Sequence, residues 1–325
     1  MDLGSKKRIA VLAGGYSGEA VISLQSAATV IENLDTNLFE PVLVRIDPES
    51  WWVVDEKNGN PSIDKSDFTF SNSEGKQISF DAIFLMVHGT PGEDGILQKY
   101  FEELNLPFTT GSSESVSGTF NKFKTTSKLR DAGFVVGASE LSDVGHEKII
   151  SNVGFPCFVK PNQGGSSLGI SKVNSIEELE PAIEAARNTG ADSIIVEALL
   201  EGREFSMGIV PGANNEAIAM PITEIITENE FFDYEAKYEG ASEEITPADI
   251  SDAQRTIMQE SGVKAYKLLG CRGMVRIDFI LVDAEKPAIL EVNTVPGFSK
   301  MSILPQQLEE AGISIKDMLT RVINS

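Results

Sequence analysis

Apolar residues along this chain fall in short unbroken blocks, separated by glycine-rich turns and by longer stretches with helical spacing. Residues 8–13 (RIAVLA) read as a buried strand, followed by Gly14-Gly15 and a helix from about Ser23 to Leu34. Residues 40–46 (EPVLVRI) predict a second strand. Residues 81–87 (DAIFLMV) predict a third, and its unbroken apolar run suits a parallel sheet covered on both faces. The polar, Gly/Asn/Ser-rich stretch 55–79 between them reads as surface hairpins or loops. Alternation of strand and helix predicts a doubly wound α/β first domain over residues 1–110.

A second unit, residues 111–196, begins with a basic helix at 121–131. It continues through a strand at 155–160 (FPCFVK), the loop NQGGSSLG, a strand at 170–173, an acidic amphipathic helix at 175–188 and a strand at 193–197. The third unit, residues 197–325, holds strands at 204–210, 216–221, 274–282 and 287–293. A helix runs from about Asp252 to Leu269, and another closes the chain at about 314–323. Residues 225–247 carry few periodic signals and read as a long functional loop.

Composition narrows the partners. The formal charge is −22, from 49 acidic against 27 basic residues, so the surface repels nucleic acid and anionic membrane. A small anionic ligand stays possible, because a local basic pocket can hold a nucleotide on an acidic protein. Cys157 and Cys271 are far apart in apolar stretches and read as free thiols in a reducing compartment. The apolar run near the N-terminus is too short for a signal peptide, and none is long enough for a membrane span. The expectation is a soluble, cytoplasmic protein.

The strongest chemical signal is Arg276-Ile277-Asp278 followed by Glu291-Val292-Asn293. Residues i and i+2 of a strand share a face, so adjacent antiparallel strands would gather Asp278, Glu291 and Asn293. Two carboxylates and a carboxamide make a hard, oxygen-only set suited to Mg²⁺ bridging phosphates. The flanks VRIDFIL and AILEVN are apolar, and a buried carboxylate without a cation is costly. Lys160 emerges from an apolar strand before Gly164-Gly165-Ser166-Ser167, as a phosphate-binding loop would have it, although GGSS is also an ordinary turn. Glu197 and Glu204 flank a turn that could read a nucleoside or simply be exposed. His88, in HGTPGEDG, follows the third strand, where ligands bind in parallel sheets. Gly14-Gly15-Tyr16-Ser17-Gly18-Glu19 lacks the GxGxxG spacing, which favours substrate contact over NAD.

In order, GGYSGE with Ser23, HGTPGEDG, Asn121-Lys122, VKPNQGGSSLG, VEALLEGREFS, DYEAKY, RIDF and EVNTVPGFSKMSILP resemble the D-alanine–D-alanine ligases of the ATP-grasp superfamily over nearly the whole chain. The resemblance implies a three-domain ATP-grasp architecture with an N-terminal Rossmann-like domain. It implies that Lys122, Lys160, Glu197, Leu200 and Glu204 bind ATP, with the Ser166-Ser167 loop over the γ-phosphate. Asp278, Glu291 and Asn293 would hold two Mg²⁺ or Mn²⁺. Glu19 would hold the ammonium of the first D-alanine, with His88 nearby. Arg276 and the Gly297 N–H would stabilise the oxyanion, and Ser302 and Ile303 would grip the second D-alanine's carboxylate. Lys237 would reach the transferred phosphate, and Tyr238 would link to Ser166 and Glu19. A homodimer is a further family expectation.

Some positions depart from the family pattern. Val21 stands where an acidic residue is frequent, Ala20 where a basic one is, Asn121 where aspartate commonly precedes the lysine, and Ala198 where a lysine often follows the adenine-side glutamate. Tyr238 resembles the dipeptide-forming class, whereas relatives that use D-lactate tend to have histidine there. Another ATP-grasp amino-acid or peptide ligase is the alternative enzyme. A nucleotide-binding regulator would need a broken metal set, and an NAD oxidoreductase rests on Gly14-Gly15 alone.

Overall fold

The structure is a computed structural model that describes residues 6–165, 169–227, 242–283 and 285–325. The first unit runs β1 (Lys7–Gly14), α1 (Ala20–Asn33), β2 (Phe39–Ile46), β3 (Trp51–Val53), β4 (Ile63–Asp64), β5 (Thr69–Ser71), β6 (Gln77–Ile78), β7 (Ala82–Leu85) and α2 (Ile96–Glu103). Its main sheet has the order β3-β2-β1-β7, with β1 parallel to both neighbours and β3 an antiparallel edge.

β1 is buried on both faces, and the period-2 alternation assigns each residue a side. Ile9, Val11 and Ala13 pack with Ala27 and Val30 of α1. Ala10 and Leu12 pack with Leu97 and Phe101 of α2. Phe68, only 1% exposed, joins this second cluster. The polar stretch 55–79 is therefore not only surface: it folds into the small sheet β4-β5-β6 and supplies a core residue.

The chain continues through α3 (Ser113–Phe120), α4 (Lys122–Asp131), β8 (Ser139–Leu141), α5 (His146–Asn152), β9 (Cys157–Pro161), β10 (Ser171–Val173), α6 (Ile176–Arg187) and β11 (Ile194–Ala198). The antiparallel sheet β10-β9-β11-β8 buries Cys157, Val159 and Val196 against Leu179, Ile183 and Ala186 of α6. Leu129 of α4 lies instead in the core of the third unit.

That third unit comprises β12 (Arg203–Pro211), β13 (Ala217–Ala219), β14 (Thr223–Thr227), β15 (Ser242–Ile245), α7 (Asp252–Leu268), β16 (Val275–Val282), β17 (Lys286–Asn293), α8 (Ile303–Glu310) and α9 (Ile315–Asn324). Its sheet has the order β15-β14-β12-β16-β17, with β13 also on β12. β14 and β15 pair antiparallel, so the ends of the expected 225–247 loop are strands. α7 starts at a capping box, with Ser251 and Gln254 satisfying each other's backbone N–H groups. Phe205, Met207, Ile277 and Phe279 face α7 and pack with Met258 and Ala265. α8 and α9 return to the first unit, where Leu304, Leu308, Met318, Leu319 and Val322 share one core with Ile9, Val11 and Ala27. Burying each such side chain stabilises by about 1.5–3 kcal/mol, so the first and third units are joined by packing as well as by chain.

Gly14 marks where β1 meets the β2 end. Its φ is +102°, and a Cβ there would lie 2.2 Å from the Ile46 carbonyl oxygen. Its neighbour Gly15 donates its N–H to the same oxygen at 3.0 Å. The two glycines thus serve a close backbone approach, with no dinucleotide loop needed to explain them. Gly14→Ala is expected to lower stability by about 3 kcal/mol, read as a reduced midpoint in urea unfolding at unchanged slope.

Candidate active site

A cavity of about 940 Å³ separates the two antiparallel sheets. Lys160, Gly164, Glu197 and Leu200 line it from the second unit, and Glu204, Asp278 and Glu291 line it from the third. Glu19 borders it from the first.

On the second-unit wall, β9 and β11 run antiparallel with Lys160 opposite Ile195, which leaves Glu197 diagonal to the lysine. Lys160 Nζ donates to Glu197 Oε2 at 2.6 Å, and both side chains are nearly buried. Burial pulls the Lys160 pKa down, but the charge and hydrogen bond of Glu197, with Glu291 beyond, outweigh it and hold it above the ordinary value. Lys122 opens α4, where Asn121 caps the helix by accepting from the Lys124 N–H at 2.9 Å. Lys122 Nζ donates to the Gly164 carbonyl at 2.7 Å and lies 3.7 Å from Glu291 Oε1. Asn162, 2% exposed, accepts the Lys122 N–H on its backbone and the Phe123 N–H on its side chain. It ties the glycine-rich loop to α4, a task invisible in the motif NQGG.

On the opposite wall, β16 and β17 pair in the register the sequence implied: Asp278 faces Glu291, and Arg276 faces Asn293, with a bulge after Asp278. Asp278 is 6% exposed. It accepts from Arg276 Nε and Nη2 at 2.9 and 2.8 Å, from Asn293 Nδ2 at 3.1 Å, and from Ser206 Oγ at 2.7 Å. Ser206 comes from β12, directly across from Asp278. Among the described residues no three His, Cys, Asp or Glu form a metal cluster. Asp278, Glu291 and Asn293 offer two carboxylates and a carboxamide, the oxygen donors that a hard cation takes.

Glu19 stands at the start of α1. A Cβ at Gly165 would lie 3.1 Å from its Oε1, so the loop passes close to this carboxylate. His88 departs from the expected substrate contact. Its Nδ1 lies 2.8 Å from the Val295 carbonyl and its Nε2 3.2 Å from Ser26 Oγ. A carbonyl only accepts, so Nδ1 carries the proton and Nε2 accepts from Ser26. Ser26 Oγ in turn accepts the Phe298 N–H at 3.0 Å. His88 thus fastens the stretch that holds Gly297 to α1. Burial, with the Arg276 charge, depresses its pKa to about 4, and the Val295 bond opposes them only in part.

Glu93, unassigned in the sequence reading, accepts the Gly89 N–H at 2.8 Å and the Val295 N–H at 3.4 Å. Burial and the negative charges of Glu19 and Glu291 push it up to about 8. Ser302 receives the Ser299 N–H at 3.0 Å, and a Cβ at Gly297 would lie 3.2 Å from its Oγ, so the two expected residues do come together. Ile303 buries its side chain in the core, which leaves only its N–H, at the start of α8, to meet a ligand. Ser166, Ser167, Lys237 and Tyr238 lie outside the described residues.

Two antiparallel sheets closing on one cavity, lysines and a glutamate on one wall and paired carboxylates on the other, define an ATP-grasp ligase. Sequence models of the D-ala D-ala ligase N-terminus and C-terminus match residues 8–112 and 134–324, and the chain belongs to that family. It is 44% identical over 321 residues to a D-alanine–D-alanine ligase of Flavobacterium johnsoniae, covering 98% of each chain. It is 40% identical over 327 residues to one from Phocaeicola vulgatus, covering 98% of this chain and 99% of that one. A solved D-Ala:D-Ser ligase from Enterococcus faecalis superposes with a TM-score of 0.86 at 30% identity, covering 98% of this chain and 99% of the other.

His88 gives a pH signature. Neutral when folded and with an ordinary pKa of 6.5 when unfolded, it makes the unfolded chain bind the extra proton as pH falls from 6.5 to 4. Stability is then lost by about 3 kcal/mol over that window. Subtracting the pH-dependence of His88→Gln from that of the parent should isolate this slope; identical profiles for the two proteins would contradict it.

Proposed function

We propose that this chain joins two D-alanines into D-alanyl-D-alanine, converting ATP to ADP and phosphate, and so supplies peptidoglycan precursor synthesis. The observation that carries this reading is the opposition, across one cavity, of Lys122 and Lys160 to the paired Asp278 and Glu291. Lys160, Glu197, Leu200 and Glu204 hold the nucleotide, and Lys122 meets its phosphates where it now bonds Gly164 and nears Glu291. Asp278, Glu291 and Asn293 would hold two Mg²⁺ or Mn²⁺, which would supply neutralisation of phosphate charge and polarisation of the γ-phosphoryl group.

Glu19 orients the first D-alanine by its ammonium. That substrate's carboxylate oxygen attacks the γ-phosphorus, the bond to the ADP oxygen breaks, and a D-alanyl phosphate forms. Ser302 and the Ile303 N–H hold the second D-alanine by its carboxylate. Its amine nitrogen attacks the acyl carbon, Arg276 and the Gly297 N–H carry the oxyanion, and the carbon–oxygen bond to phosphate breaks. Positioning and charge neutralisation supply most of the rate, as in phosphoryl transfer generally. Roles for Ser166, Ser167 and Lys237 at the transferred phosphate, and for Tyr238 as a link to Ser166 and Glu19, rest on the family resemblance, because these residues lie outside the described ones.

The second substrate is D-alanine. The relatives at 44% and 40% identity bear that name, against 30% for the D-Ala:D-Ser ligase, and Tyr238 stands where D-lactate users tend to have histidine. No helix among the described residues is long and apolar enough to cross a membrane. A cytoplasmic homodimer completes the proposal.

A coupled assay for ADP should show turnover that needs both D-alanine and Mg²⁺, with little from L-alanine and less from D-lactate at neutral pH. Preference for D-lactate would overturn the substrate assignment. Glu291→Gln should cut turnover on the order of 10²-fold while leaving the thermal unfolding transition in place. Full activity in that variant would remove Glu291 from the metal set.

A further inference from the structure

Gln307 has no place in the roles above, yet it makes three hydrogen bonds and is 0% exposed. It accepts the Gly208 N–H at 2.8 Å, and donates to the Ser206 carbonyl and to Thr223 Oγ1, both at 2.9 Å. The Ser206 C=O and the Gly208 N–H flank Met207 on one edge of β12. A neighbouring parallel strand would satisfy that pair through the N–H and C=O of one residue. At this point β12 changes partner, from β14 at residues 204–206 to β13 at 209–211. The Gln307 carboxamide fills the gap with its own acceptor and donor. Nothing bulkier than Gly208 fits beneath it: a Cβ there would lie 2.9 Å from Gln307 Oε1 and 2.3 Å from Leu304 Cδ1.

The bonded groups lead straight to the chemistry. Ser206 donates its hydroxyl to Asp278, and Thr223 Oγ1 lies 2.6 Å from Thr246 Oγ1 at the foot of the β14–β15 hairpin. At the other end, α8 begins at Ser302 and Ile303, five and four positions before Gln307. Ile303 and Gln307 are therefore neighbours on one helix face.

We infer that Gln307 is a positioning residue for the acceptor amine substrate: it fixes the height of the α8 N-terminus above the Ser206–Asp278 row. This rests on the reading of Ser302 and Ile303 as the acceptor's carboxylate site. Two of the three bonds join α8 to β12 and the third joins it to β14, whereas the bond of Gln306 to Glu244 reaches only the edge strand β15; a displacement near 1 Å between acceptor and acyl phosphate is costly. Lys160 and Glu197, on β9 and β11, are untouched by the change, and of the nucleotide residues Glu204 alone shares β12 with Ser206.

Gln307→Met keeps length and volume but no hydrogen bonds, and Thr223→Val removes one bond of the three. D-Alanine saturation at fixed high ATP, resolved into donor and acceptor sites, is measured beside the KM for ATP and the melting temperature. The acceptor KM should rise about tenfold in Gln307→Met and about threefold in Thr223→Val, with the KM for ATP within about twofold of the parent. Acceptor and ATP constants that worsen together in step with the melting temperature would show a merely structural role and overturn the inference, as would an unchanged acceptor KM in either variant. Should Gln307→Met not fold, Thr223→Val decides alone. Failure of the parent protein to turn over D-alanine would overturn the proposed function instead, a separate outcome.

Discussion

A carboxylate in the middle of a β-sheet is the constraint the rest of this molecule answers. Asp278 is 6% exposed and sits on β16 between two neighbouring strands. An uncompensated charge there would cost several kcal/mol. Four donor contacts prevent that, and they come from three strands: Ser206 on β12, Arg276 on β16 and Asn293 on β17. The register of the whole sheet follows, because slipping either neighbour by one residue would turn its donor to the other face. Glu291 arrives opposite Asp278 by the same register, so the arrangement that makes the fold tolerable also places two carboxylates where a cation would sit.

The opposite wall balances charge differently. Lys160 and Glu197 neutralise each other inside the second sheet, and Lys122 reaches toward Glu291 across the cavity. Around them the first unit contributes groups held neutral: His88, depressed to about 4, and Glu93, raised to about 8. A protein of net charge −22 thus lines one cavity with lysines on one side and the Asp278–Glu291 pair on the other. Its bulk acidity, which argues against nucleic acid, says nothing against this local pocket.

The strands that position the site were readable because each is either unbroken and apolar or alternates with period 2. The i, i+2 spacing in RID and EVN already implies the register that pairs Asp278 with Glu291 and Arg276 with Asn293. Other features were hidden for physical reasons. α2, α3, α5 and α8 have seven or eight residues, too few turns for a helical period to stand out. β14 and β15 are short and earn their place by pairing with each other and with β12. Phe68 sits in a polar stretch, so nothing local betrays its burial. His88 reads equally well as a ligand contact or a brace, and only tertiary partners separate the two. Ser206 and Gln307 lie about 100 residues apart in sequence, and their meeting is a property of the packed sheet alone.

In the proposed reaction a D-alanine carboxylate oxygen attacks the γ-phosphorus of ATP in this cavity. Turnover of D-alanine carrying oxygen-18 in both carboxylate positions tests it most directly. One labelled oxygen should appear in the inorganic phosphate, because the bridging oxygen of the acyl phosphate leaves with phosphorus when the second amine attacks. Unlabelled phosphate, with both labels retained among the amino acid and dipeptide, would contradict the account.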